Sequence, residues 1–164
     1  MGDKSSDTGP RRLKALQEVN ADIQKGSLPV DFICLQETSS SDGHLMSGLT
    51  AMGYACQAVS EQESGGKQYV VAVNPKSGYG FSEVKQVQFQ YESPSGGPLR
   101  YPARAKLIGE GGPPVMLYTV HASPAGGLAE CLGKYSQDAE KSVRSEKSGV
   151  VFVTGDLRNC LVSI

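Results

Sequence analysis

Apolar positions along the chain alternate between helical and strand spacing, and glycine or proline marks most of the changes. Over 11–26, Leu13, Ala15, Leu16, Val19 and Ile23 recur near helical spacing, Pro10 suits the first turn and Gly26 stops the run. Residues 30–36 follow as a strand that is apolar on both faces, the pattern of a central strand in a layered fold. A short helix is predicted at 43–52, with Leu45, Leu49 and Met52 on one side and Gly53 at its end. The spacing then predicts strands at 54–60, 68–74, 81–91 and 101–108. Turn-rich stretches such as Ser64-Gly65-Gly66 and Asn74-Pro75-Lys76-Ser77-Gly78 separate them. A strand over 115–121, a helix over 127–146 and a last strand over 150–155 complete the order. The second of these carries Leu128, Cys131, Leu132, Tyr135, Ala139 and Val143 as its stripe. A meander of strands flanked by helix–strand units implies an α/β sandwich, since a doubly wound sheet would alternate more regularly.

Composition narrows the classes. A chain of 164 residues is about one domain, and no repeat or linker divides it. The formal net charge of −1 gives no global electrostatic case for nucleic acid or an acidic membrane. Any phosphate-directed function therefore needs a local basic site. Cys34, Cys56, Cys131 and Cys160 lie far apart with no C-x-x-C pair, which argues against a zinc ribbon or redox motif. Cys34, inside an apolar strand, reads as a small buried hydrophobe. The first residues are polar with no apolar signal-type segment, and no apolar run approaches the roughly 20 residues of a membrane span. Localisation stays open.

Three apolar strands each end on a side chain fit for chemistry: Glu37, His121 and Asp156. A strand-end carboxylate such as Glu37 suits a hard cation, which prefers oxygen ligands. It equally suits a solvated strand end. His121 can act as acid or base or donate to a phosphoryl oxygen, or can simply be satisfied by loop backbone. Asp156 follows Gly155, a residue that lets backbone approach closely, and can orient a water or serve as a turn aspartate. His44, in a polar helix start, reads as surface.

Taken together, Asp31-Phe32-Ile33-Cys34-Leu35-Gln36-Glu37, Tyr118-Thr119-Val120-His121 and Val151-Phe152-Val153-Thr154-Gly155-Asp156-Leu157 resemble the D-x-x-x-x-Q-E, histidine and G-D-x-N segments of the endonuclease/exonuclease/phosphatase superfamily. Within that superfamily, 102–109 and 121–127 look most like the catalytic subunit of cytolethal distending toxin. The resemblance implies an incomplete four-layer α/β sandwich, with two mixed β-sheets face to face and helices outside. It implies a magnesium-dependent phosphoesterase of nuclease type. Glu37 would be the metal ligand, His121 and Asp156 the catalytic pair, and Arg104 a phosphate contact. Nucleic acid or another phosphoester would be the substrate.

The chain also departs from that pattern. The family opens with a strand ending in asparagine and closes on S-D-H, and neither is found in residues 1–164. Arg158 stands at the asparagine position of G-D-x-N, so Asn159, one residue later, is the substitute for substrate binding. The expectation is a single domain over 1–164 lacking the first strand and the C-terminal part, with open sheet edges prone to self-association. The alternative reading is an inactive relic or an interaction module with the same fold.

Overall fold

The computed structural model describes residues 8–25, 30–39, 43–60, 66–88, 101–121 and 149–156, with positions 133, 137–138, 140–141 and 144–145. Helix α1 (Thr8–Lys25) precedes strand β1 (Phe32–Ser39), helix α2 (Gly43–Ala51) and strands β2 (Ala55–Ser60) and β3 (Lys67–Val73). A 3₁₀ turn (Pro75–Ser77) leads into β4 (Tyr79–Gln86), β5 (Ala103–Gly109), β6 (Val115–His121) and β7 (Val150–Asp156). Every described element falls where the spacing places one, and positions between 133 and 145 are helical where described. Residues 89–91 of the fourth predicted strand lie outside the described residues, as do Arg158, Asn159, Cys131 and Cys160.

The strands form two sheets. The first has the order β1-β3-β2 and is antiparallel; the second has the order β4-β5-β6-β7 and is mixed. The 3₁₀ turn carries the chain from one sheet to the other. Asn74 accepts from the Lys76 amide at its start, and Gly78 takes the left-handed conformation at its end. β6 and β7 are parallel, which requires a crossover. The described helical positions 137–138, 140–141 and 144–145 lie in that crossover. Asp138 touches the outer face of the second sheet, where Tyr118 Oη donates to its Oδ2 at 2.5 Å.

Alternation along the strands divides the core. Val71 and Val73 of the first sheet meet Ala105, Leu107, Val115 and Leu117 of the second, forming the layer between the sheets. Val70 and Ala72 point the other way and pack with Leu45 and Leu49 of α2 and Leu13 and Leu16 of α1. A Cβ on Gly48 would sit 2.3 Å from a Leu13 methyl, so the small residue sets how closely the two helices approach.

β1 differs from its expected central place. Among the described residues it lies at the edge of its sheet and β3 is central, so β3 is buried from Tyr69 to Val73 while most of β1 is half-buried. β7 likewise borders only β6 among the described residues, leaving Val150, Phe152 and Val153 exposed.

Candidate functional site

The site begins with an irregularity in β1. Leu35 pairs with Val70 but Thr38 pairs with Gln68, so β1 carries one extra residue there. This is a β-bulge, which re-aims side chains. Phe32 and Cys34 face the layer between the sheets, while Ile33 and Leu35 face the helices. Regular alternation would send Glu37 toward the helices as well. Glu37 instead has φ 53°, the one non-glycine positive φ among the described residues. Its carboxylate reaches across to the second sheet, where Nε2 of His121 donates to Oε1 at 2.5 Å. Nζ of Lys67 lies 3.2 Å from the same oxygen.

Both partners arrive by parity. His121 lies on the inner face of β6 with Val115 and Leu117, and Lys67 lies on the inner face of β3 with Val71 and Val73. The imidazole is 6% exposed, whereas the Glu37 and Lys67 side chains are 39% and 40% exposed. The histidine is therefore the floor of the site, and the other two form its open rim. Two further contacts hold Glu37. Nη1 of Arg12, from α1, donates to the Glu37 carbonyl at 3.0 Å. Nε2 of Gln36 donates to Thr119 Oγ1 at 2.6 Å, tying the two sheets together one residue before the bend.

Asp156 is brought to the same rim at the level of the backbone. β7 runs beside β6 in a register that pairs Asp156 with His121 and Gly155 with Val120. Gly155 has φ 150°, and a Cβ there would lie 1.9 Å from the Val120 carbonyl oxygen. Only glycine allows this close approach. Thr154 hydrogen-bonds Cys34, whose thiol pKa is raised by burial and only partly lowered by that bond. Cys34 thus behaves as the half-buried core residue that its strand implied.

Arg104 is not brought to this rim. It pairs with Tyr118 in the register of β5 and β6, on the face opposite Ala103, Ala105 and Leu107. Nη2 of Arg104 donates to Glu83 Oε2 at 2.8 Å and Nη1 to Asp138 Oδ2 at 3.2 Å. With its side chain 12% exposed, Arg104 anchors the helical segment to the sheet. Burial by itself would lower its pKa, but the hydrogen bonds to Glu83 and Tyr118 and the charge of Asp138 outweigh it and raise the value. The carboxyl of Glu83 is correspondingly held below its ordinary range, first by Lys85 and then by Arg104. Asn159 lies outside the described residues, and His44 is exposed, as expected.

Sequence reasoning missed Lys67, Gln36 and Thr119. Their signal was parity: Lys67 shares its face with Tyr69 and Val71, and Thr119 shares one with His121. Among the described residues no group of three or more His, Cys, Asp or Glu side chains could hold a metal. Nor is any helix among them long and apolar enough to cross a membrane. Among the described side chains the rim offers the Glu37 carboxylate as a hard oxygen donor, beside a lysine and a histidine. Magnesium is commonly held by one or two carboxylates, with water and substrate phosphate completing its shell. That chemistry fits a single rim carboxylate.

No family model matches the sequence, and no curated protein matches it. Solved structures do. Truncated TDP2 from Caenorhabditis elegans superposes with a TM-score of 0.66 at 18% identity, over 98% of this chain and 61% of that one. The human Nocturnin catalytic domain, solved with a bound sulfate anion, gives 0.56 at 16% identity, over 90% of this chain and 56% of that one. ANGEL2, described as a 2′,3′-cyclic phosphatase, gives 0.50 at 15% identity, over 65% and 31%. All three are endonuclease/exonuclease/phosphatase members, so the resemblance read from the three strand ends holds at the level of the fold. The chain spans less than two thirds of each of these structures.

Proposed function

We propose that this chain, which has the deoxyribonuclease I-like fold, carries the nucleophile-and-phosphate side of a nuclease-type phosphoesterase site. The observation that carries the reading is the convergence of Glu37 and His121 across two sheets, with the Asp156 strand end beside His121. The similar structures support it through their chemistry: one is named as a phosphatase, and another holds a sulfate anion. His121, buried and donating through Nε2, would bind the non-bridging oxygen of the scissile phosphate. Asp156 would orient or deprotonate the attacking water. Glu37 would hold a magnesium ion, which when bound neutralises phosphate charge and stabilises the leaving oxygen. Arg104, committed to Glu83 and Asp138, would act by fixing the sheet on which His121 sits.

The test is nicking of supercoiled DNA by the full chain, with and without magnesium, repeated with His121→Ala. Magnesium-dependent nicking reduced about 10²–10⁴-fold by the substitution is the expected result. Equal background from both proteins would sink the reading.

A second reading, an inactive relic or interaction module, is favoured by the apolar side chains exposed along β7. In it the unpaired strand edge associates with a second copy of the chain. It is the outcome to which equal background nicking, together with a stable oligomer, would point.

A further inference from the structure

Two nitrogen donors from different sheets converge on one carboxylate oxygen. Nζ of Lys67 and Nε2 of His121 both address Glu37 Oε1. Convergent donors around a single oxyanion are what a phosphoryl oxygen requires. In the structure a carboxylate oxygen occupies that point. It is of like charge to a phosphate oxygen and sits at the open side of the site, where Lys67 and Glu37 are both about two-fifths exposed.

The inner-face parity of β3 brings Lys67 to the site with no distortion of its strand, because Ser39 of β1 pairs with Lys67 just beyond the bulge. Arg104, the basic residue that the sequence offered for this task, is turned to the opposite face. The Lys67 ammonium meets the same Glu37 oxygen that His121 does.

We propose that Lys67 is a substrate-phosphate contact, which with His121 receives a non-bridging oxygen of a phosphate ester at the point now taken by Glu37 Oε1. The proposal rests on the phosphoesterase reading for its substrate class but not for its test. Swinging the Glu37 carboxylate aside exposes the two donors to the ester. An ordinary exposed lysine–glutamate pair would instead contribute little and could be removed without effect on anion binding.

The test uses the full chain, free of divalent metal, with inorganic phosphate as the probe. Binding is followed by NMR at the His121 ring and at backbone amides of β3. Lys67→Met is expected to weaken phosphate binding about tenfold or more, the scale of one charged hydrogen bond. Lys67→Arg keeps the charge and should stay within about threefold of the parent. Glu37→Gln removes the competing charge and should tighten binding severalfold, a gain lost again in Glu37→Gln/Lys67→Met. Unchanged affinity in Lys67→Met, or no gain in Glu37→Gln, overturns the proposal. The two readings fail separately. The expected phosphate behaviour with no nicking by the parent chain removes the phosphoesterase and leaves the anion site. Normal nicking by Lys67→Met at an unchanged KM does the reverse.

Discussion

Glu37 keeps a left-handed backbone that costs a non-glycine residue about 1–2 kcal/mol. Its side chain is nevertheless half exposed and fills no core space. The strain is retained where a carboxylate is aimed, not where packing needs one. Glu37→Gly is therefore expected to be more stable than Glu37→Ala by about 1 kcal/mol, since glycine adopts this φ freely. Chemical denaturation of the two variants checks it, and an alanine variant as stable as the glycine one would mean that the bulge relaxes. At this scale the sequence was readable for position: the apolar runs that lead to Glu37, His121 and Asp156 are strands β1, β6 and β7. It was not readable at Lys67, because a lysine heading a strand looks like any solvated strand start. Arg104 shows a related effect. The alternation Ala103, Ala105, Leu107 turns it away from the inner face, and a motif match does not register that.

Between elements, ion pairs on the outer face of the second sheet hold the helical segment in place. Glu83 of β4, Arg104 of β5 and Asp138 of that segment form one connected group. Because the Glu83 carboxyl is held below its ordinary value of 4.5, the stability it contributes is fully present above that pH. It is lost as pH falls through the lower, folded value. Melting temperatures measured between about pH 6 and pH 3 should fall in that acid window, and fall less steeply in Arg104→Met. Parallel slopes for the two proteins would mean that other carboxylates dominate. Element identities were legible throughout the described residues because periodicity survives local detail. The boundary of β1 was less so. Its apolar run stops at Leu35, but the strand continues to Ser39, since Thr38 resumes pairing after the bulge. An extra residue in a ladder leaves no trace in hydrophobic spacing.

For the whole molecule, the two sheets are open on the same side, where β1 and β7 form the borders among the described residues. Phe152 is 47% exposed and Val150 41%. Their register with Leu117 and Val115 puts them on the inner face, where a core would continue. Phe152→Lys is expected to shift the protein toward monomer in size-exclusion chromatography with light scattering, as charge on a strand edge discourages pairing. An unchanged oligomer would place association elsewhere. The sandwich itself could be read from the order of elements. Whether that side is covered could not be read from the spacing, because apolar residues on β7 look the same whether another strand covers them or not.

The hydrogen bond from Gln36 to Thr119 and the contact from His121 to Glu37 each join one sheet to the other. Neither sheet by itself carries the whole constellation. The constellation exists at one offset of the two sheets only, and a slide of one residue spacing, about 3.3 Å, would part every pair in it. Side chains in the layer between are close-packed and hold the sheets at that offset. The rim thus acts as a vernier for the sandwich: it reads the alignment that the packed layer beneath it sets.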